Sequence, residues 1–253
     1  MKVIFTNDNN AEIQLINHKF TKKFIKRDED EVLFRRINTF LINEKIIQKN
    51  IIDLGAWIGD NTIPWAMNLP ESIIYAIDPS SRNINFIKEM ASVNKLNNIK
   101  PIQVAVSDKI EKLSTNDNID HCSFVYNNTM NNGKHIEYAV TLDSLFKDGD
   151  IKDIGMIHLD VEGMEYRVMK GAEIIINQYK PIITFEQHLE IDNYDIISNY
   201  LKNKNYKVFL INEVLPSCRP DCRNSIAIPE YLYSDELIKK IEDNVAHNLL
   251  IEK

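Results

Sequence analysis

The chain has 253 residues, 44% of them hydrophobic, which is enough for one large domain with a sizeable core. Its formal net charge of -7 means that it gains nothing overall from counterion release on a phosphate backbone, so nucleic acid is a poor partner. Three cysteines make no disulfide framework, no apolar run is long enough to span a bilayer, and the N-terminus lacks the h-region of a signal peptide; the expected setting is a reducing, cytoplasmic one.

In chain order, "KVIFT" and "AEIQLIN" flank the turn-forming "NDNN" and predict a hairpin. Lys19, Lys22, Lys23, Lys26 and Arg27 run directly into the acidic Asp28–Glu31, which reads as a solvated segment. From Asp28 to about Lys49, Val32, Leu33, Ile37, Phe40, Leu41 and Ile46 recur at helical spacing. Residues 1–49 thus read as a hairpin and helix appended to a core of residues 50–253.

In that core, strands and helices alternate. "IIDLG" is a strand and Asp60 to Met67 a helix; "SIIYAID" is a strand and Ser80 to Asn94 a helix; "KPIQVAVSD" is the next strand. A polar, Asn-rich interruption over about 109–140 is either a hairpin insertion or a flap. "TLDSLF" is a short helix, "DIGMIHLD" a strand, Gly163 to Gln178 a helix with Tyr166, Met169 and Ile174 on its packing face, "KPIITFE" a strand and Ile191 to Lys204 a helix. "YKVFLIN" and "NSIAIP" are late strands, and "SDELIKKIEDNVAHNLL" closes as a helix capped by Ser234. This rhythm predicts an α/β fold with a mostly parallel sheet and helices on both faces. Ligands bind such sheets at the carboxyl ends of the strands, and there Asp53, Asp78, Asp108, Asp160 and Glu186 stand.

The turn "DLGAWIGDNT" has neither the G-x-G-x-x-G of a dinucleotide fold nor the GK[ST] of a P-loop. Acids at both its ends, Asp53 and Asp60, repel a phosphate and welcome a cation. Asp78 closes the next strand at the distance where a carboxylate takes a ribose diol, followed by Pro79. The tip of "VAVSD", with Ser107 and Asp108, is expected beside an adenine. A ligand with a sulfonium, an ammonium and a ribose fits, namely S-adenosylmethionine. Gly55 and Gly59 let the backbone approach it, Ala56 and Trp57 lie in the same loop, and Asn61 and Thr62 at the helix start face its carboxylate.

"IIDLGAWIGDNT", "YAIDPS", "IQVAVSD", "TLDSLF", "IHLDVEGMEYRVMKGAE" and "PIITFEQH", in that order from Asp53 to His188, resemble the FkbM-type methyltransferases. D-V-E-G-x-E followed by K-G-A is the most specific part, and the late "CRNSIAIP" is similar to that family's closing strand. The resemblance implies a Rossmann-like class I fold with a seven-stranded sheet and O-methylation of a sugar hydroxyl in a glycan or nucleotide-activated sugar. The alternatives are a polyketide-like acceptor and a non-catalytic cofactor-binding module. The chain departs from the family where a frequent lysine is His158.

A hydroxyl acceptor must lose a proton. The candidates are His188 or His158 as the base, with Asp160 or Glu186 orienting it. Asp160, Glu162, Glu186 and His188 also form an oxygen-rich set that a divalent metal could use instead. Cys218 and Cys222 are spaced C-x3-C with no second pair nearby, which does not point to zinc. No N/D-P-P-Y motif suggests amino-group methylation, and the Asn-rich stretch from Thr115 to Lys134 has side chains suited to sugar hydroxyls. The N-terminal hairpin and the final helix each offer a surface for a homo-oligomer.

Overall fold

The computed structural model describes residues 1–115, 135–147, 149, 151–189, 194–216, 218 and 220–253. The predicted acceptor-covering stretch from Thr115 to Lys134 and the third cysteine, Cys122, therefore lie, apart from the backbone of Thr115, outside the described residues.

The hairpin is β1 (Lys2–Phe5) and β2 (Ala11–Gln14), followed by α1 (Thr21–Lys26) and α2 (Val32–Asn43). The alternating region supplies β3 (Asn50–Leu54), α3 (Thr62–Asn68), β4 (Ile74–Asp78), α4 (Ser81–Val93) and β5 (Ile99–Gln103). Then come β6 (Ala105–Val106), β7 (Glu111–Thr115), β8 (His135–Val140), α5 (Leu142–Lys147), β9 (Ile154–Leu159), α6 (Glu165–Lys170) and α7 (Glu173–Tyr179). The chain finishes with β10 (Ile182–His188), α8 (Tyr194–Lys202), β11 (Tyr206–Ile211), β12 (Cys222–Pro229), α9 (Asp235–Asn244) and β13 (Leu250–Glu252).

The main sheet runs β13-β11-β12-β10-β9-β3-β4-β5. Neighbours from β5 to β10 are parallel, while β12 is antiparallel to both β10 and β11. Alternate residues of the central strands face opposite layers, as the two-residue period requires. Ile52, Leu54, Tyr75 and Ile77 pack with Val168, Met169, Ile175 and Ile176 of α6 and α7. Ile51, Ile74 and Met156 pack with Phe34, Ile37 and Leu41 of α2, Trp65 of α3 and Ile241 of α9. Each such buried side chain contributes about 1.5–3 kcal/mol of transfer free energy, so both layers hold the sheet. Among the described residues no helix is long and apolar enough to cross a membrane.

Four local readings are corrected. The sheet has eight described strands rather than seven: α9 ends at Asn244, Asn248 adopts a left-handed conformation (φ 54°), and Leu250–Glu252 returns beside β11. "KPIQVAVSD" is two strands, because the chain leaves the main sheet after Gln103 and Ala105–Val106 joins a three-stranded sheet of order β6-β8-β7. The described ends of the interruption, β7 and β8, pair antiparallel, and residues 116–134 between them lie outside the described residues. The first helix begins only at Val32, because Glu31 is left-handed (φ 53°), and α1 before it has no clear period in the sequence. The helix predicted over Gly163 to Gln178 is broken into α6 and α7. The break shifts the phase, so Ile175 and Ile176 turn inward and Ile174 is exposed.

Gly171 marks that break. A Cβ there would lie 2.1 Å from the Ser107 carbonyl oxygen, although its backbone is in an ordinary right-handed conformation (φ -75°). In such a conformation Gly→Ala normally stabilises by about 1 kcal/mol. Here Gly171→Ala should instead destabilise by about 1–3 kcal/mol through overpacking, read as a lower urea midpoint. A raised midpoint would contradict the close approach.

Candidate functional site

The turn after β3 is shaped by contact with the end of β9. Gly55 has φ +76°, and a Cβ on it would sit 1.8 Å from the Asp160 carbonyl oxygen. Only glycine fits both the conformation and the space. Asp160 N–H donates to Leu54 O (3.0 Å), and the Gly55 and Ala56 N–H groups both donate to Ile77 O (3.0 and 3.1 Å). The carboxyl ends of β3, β4 and β9 are thereby drawn around one point.

A cavity of about 380 Å³ opens there. Asp53, Gly55, Ala56, Trp57, Asn61, Asp78, Pro79, Asp160, Glu162, Glu186 and His158, all singled out by sequence, line it. Asp78 is buried, and its carboxylate accepts from Trp57 N–H (3.0 Å), Ser80 N–H (2.8 Å) and Asn83 Nδ2 (3.1 Å), which fixes its orientation at the strand end. Ile77, Val104, Val106 and Leu113 give the cavity an apolar strip.

One wall was not anticipated. Lys23, Lys26, Arg27, Asp30, Glu31 and Arg35, from the segment read as a solvated run and appended helix, line the same cavity. Arg27 is buried with Asp8, and buried Arg35 donates to Glu31 (2.9 Å) and Asp60 (2.8 Å). Asn224 of β12 donates to the other oxygen of Glu31 (2.8 Å), and Glu213 caps α2 by accepting from Leu33 and Phe34 N–H (2.9 and 3.0 Å). The available signal was the pair Glu31–Arg35 at helical i, i+4 spacing, which reads equally well as a surface pair.

Four of the residues predicted to hold the cofactor sit behind the lining or away from it. Gly59 (φ +72°) turns the loop against Ile87. Thr62 is fully buried and donates to Asp53. Ser107 and Asp108 are carried away because β5 ends at Gln103; Ser107 donates to Glu111 (2.6 Å), and Arg167 binds Asp108 (2.6 Å). Burial alone would raise the Asp108 carboxyl, but the Arg167 guanidinium outweighs it and holds the group below its ordinary range.

His158 is buried, with its ring against Phe34 (5.1 Å) and Trp65 (5.6 Å). Arg35 donates to Asn61 Oδ1, so the Asn61 amide presents Nδ2 to His158 Nε2 at 3.5 Å. The imidazole then carries its proton on Nδ1 and donates to Thr184 Oγ1 (3.0 Å). Burial lowers its pKa to about 4 against the opposing pull of Asp60, so it is neutral and weakly basic. The expected orienting carboxylate is thus replaced by Thr184 and Asn61, a packing arrangement. His188 lies outside the lining, 3.9 Å from Glu186 and 3.9 Å from Asp221. It shares its neighbourhood with Cys218 and Cys222, which no sequence spacing joins to it.

Electrostatically the cavity is acid-rich: among the described residues eight carboxylates and four basic side chains line it. Burial, then Glu186, Glu162, Glu31 and Glu165, pushes Asp160 well above the ordinary carboxylate range. Burial, then Asp60 and Glu186, raises Glu31 likewise. Burial raises Glu186 as well, opposed by its hydrogen bond with Cys222. The turn between β9 and α6 is held by Glu165, which accepts from Val161 and Gly163 N–H (3.0 and 3.3 Å). That is the physical content of the D-V-E-G-x-E segment: two acids, Asp160 and Glu162, line the cavity and a third, Glu165, ties the loop that carries them. The arrangement suits a ligand that brings a cation, a polar diol and a flat apolar ring.

The domain family described as methyltransferase FkbM matches residues 53–208. The ribosomal RNA small subunit methyltransferase G of Colwellia psychrerythraea is 31% identical over 83 residues, covering 32% of this chain and 40% of that protein. Its counterpart in Photobacterium profundum is 30% identical over 95 residues, covering 36% and 46%. The chain thus spans less than half the length of these curated relatives. The crystal structure of a methyltransferase FkbM from Methylobacillus flagellatus superposes with a TM-score of 0.50 at 14% identity, covering 87% of this chain and 57% of that one, which shows the shared fold.

The buried acids have a measurable consequence. Burial, against the Thr62 hydrogen bond and with Asp60 and Asp78 adding to it, raises Asp53 to about 7. Between its ordinary value and that one the folded state holds a proton that the unfolded state releases, so stability falls as pH rises across the window. Its ceiling is about 4 kcal/mol. In Asp53→Asn the decline in thermal midpoint from pH 5 to pH 8 should flatten; an unchanged slope would remove Asp53 as its source.

Proposed function

Because the chain belongs to the FkbM methyltransferase family, we propose that it is an S-adenosylmethionine-dependent O-methyltransferase acting on a sugar hydroxyl of a glycan or a nucleotide-activated sugar. The observation that carries this reading is the acid-rich cavity at the carboxyl ends of β3, β4 and β9, with Gly55 closed onto the Asp160 carbonyl. Its residues fit the cofactor. Asp78, held by three N–H donors, is placed for a ribose diol, and the strip of Ile77, Val104, Val106 and Leu113 for an adenine. The carboxylate excess favours the cationic part. When bound, S-adenosylmethionine supplies an electrophilic methyl group on a positively charged sulfur.

The chain's part is to position an acceptor oxygen and remove its proton. We assign the proton to Asp160. It lies at the end of β9 in the cavity wall, and its raised proton affinity makes its ionised form a stronger base than an ordinary carboxylate. His158 is too weakly basic for this task, and His188 stands outside the lining. Trp57, half-buried in the turn after β3, lines the cavity with the Lys23 ammonium 5.3 Å from its ring. The acceptor class rests on the family and on the net charge of -7. The likeness to ribosomal RNA methyltransferases, over about a third of the chain, makes RNA the competing acceptor.

The test is transfer of a labelled methyl group to nucleotide sugars, oligosaccharides, polyketide hydroxyls and a small-subunit ribosomal RNA fragment. Labelled sugar is expected. Labelled RNA, or labelled polyketide alone, would overturn the acceptor class, and cofactor binding without transfer to any hydroxyl would favour a non-catalytic module. Asp160→Asn should lower kcat by about 10²–10⁴-fold while changing cofactor affinity far less. In the parent enzyme kcat should rise with pH as Asp160 loses its proton, then level off; a rate indifferent to this substitution would move the base elsewhere. Asp78→Ala should weaken cofactor binding at least about tenfold with the thermal midpoint nearly retained, on the scale of a lost charged hydrogen bond. Unchanged affinity would take Asp78 out of the ribose site.

A further inference from the structure

The donor atoms of Glu186, His188, Cys218 and Cys222 all lie within 4.8 Å of one another, the one such mixed sulfur, nitrogen and oxygen cluster among the described residues. Three of the four are set by the sheet. Glu186 and His188 are two apart on β10 and so share a face, and His188 is directly opposite Cys222 on antiparallel β12. The fourth comes from the connection between β11 and β12. Cys218 N–H donates to Leu215 O (3.2 Å), and its thiol lies 3.6 Å from Glu186 Oε1. The two imidazole nitrogens of His188 face different carboxylates, Nε2 towards Glu186 and Nδ1 towards Asp221, each at 3.9 Å. A histidine metal ligand has this environment, with a carboxylate behind the nitrogen that is not bound to metal.

We propose that Cys218, Cys222, His188 and Glu186 bind one zinc ion, and that Asp221 is a positioning residue that orients His188. Two thiolates, an imidazole and a carboxylate are the donor types of tetrahedral zinc, and thiolate sulfur disfavours magnesium or calcium. A tetrahedron with zinc–sulfur bonds near 2.3 Å and zinc–nitrogen or –oxygen bonds near 2.0 Å needs its donors about 3.3–3.8 Å apart. The cluster therefore has to tighten by only about 1 Å, within reach of side-chain rotation. With four protein donors the site is closed, which makes it structural rather than a water-activating centre. Its effect is mechanical. Leu215 and Cys218 line the cavity, and the ion fastens their connection to the ends of β10 and β12. Binding displaces the two thiol protons to solvent and oxidises nothing. The proposal stands independently of the methyl-transfer reading, because its readouts require neither cofactor nor acceptor.

The experiment is metal analysis of the full chain purified without chelator, followed by zinc titration of the chelator-stripped protein against a chromophoric competitor, and cobalt substitution. One zinc per chain is expected, and cobalt should give the intense visible absorption of a four-coordinate site together with a thiolate charge-transfer band. Zinc should protect Cys218 from alkylation. Cys218→Ser, in which a partly exposed side chain changes, should lose the charge-transfer intensity of one thiolate and weaken zinc at least about 100-fold. Asp221→Asn should weaken zinc by about 10–100-fold with the cobalt spectrum retained. If the buried Cys222→Ser variant fails to fold, the Cys218 and Asp221 variants and the alkylation readout still decide. Zinc stoichiometry below about one-tenth on titration, unchanged affinity in Cys218→Ser, or a Cys218–Cys222 disulfide in the chain isolated under reducing conditions would overturn the proposal.

Discussion

The constraint on which the site depends is mutual repulsion among carboxylates held in a poorly solvated space. Glu31, Asp160 and Glu186 come from three distant parts of the sequence, and each is raised first by burial and then by neighbouring carboxylates: Glu186, Glu162 and Glu31 act on Asp160, Asp60 and Glu186 on Glu31, and Glu162 on Glu186. Such a group of acids costs folding free energy unless protons or cations offset it. The chain offsets part of it internally: Arg27 and Arg35 engage Asp8, Asp60 and Glu31. What remains near Asp160 is a group of buried carboxylates whose repulsion a cation from outside the chain would offset. The same feature that weakens the empty fold as pH rises would strengthen its hold on a cation.

The geometry that makes this arrangement possible is modest. Gly55 lets the turn after β3 close on the carbonyl of Asp160, and Asp78 holds Trp57 N–H from the neighbouring strand. Glu165 ties the turn in which Glu162 and Gly163 both adopt positive φ (53° and 91°). The first forty or so residues are joined to this centre by charge, by the Glu213 cap on α2 and by packing: Phe5, Ile13, Phe20 and Phe24 cluster with Ile58, Ile63 and Phe86. Charged groups from that segment complete the cavity wall, so its sequence bears on ligand choice as well as on stability.

Much of this was legible in the sequence because it rests on local rules. Continuous apolar runs identified β3, β4 and β9, and the glycine turn with flanking acids pointed to a cation rather than a phosphate. Ser234 caps α9 through its side chain, as its place before the helical run predicts. What escaped depends on contacts between distant residues. The glycine at the break, Gly171, meets a carbonyl more than sixty positions away, and nothing in the helical period announces that contact. Lys19, Lys22 and Lys23 are exposed as the sequence predicts, whereas Arg27 at the end of the same run is buried against Asp8 and Asp60. His158 has the spacing of a catalytic histidine, yet Phe34, Trp65 and Thr184 enclose it. Cys218 and Cys222 acquire partners only through the register of β10 with β12.

The most direct test of the central claim is calorimetric titration with S-adenosylmethionine at one pH in two buffers of different ionisation enthalpy, repeated at a higher pH. If the carboxylates around Asp160 share protons until a cation arrives, binding must release protons, and affinity must rise with pH. The difference in heat between buffers then reports that release, and S-adenosylhomocysteine, which lacks the sulfonium charge, should release fewer. Binding with equal heats in both buffers and no pH dependence would show that the acids do not receive the cation, and failure to bind either ligand would remove the cofactor assignment itself.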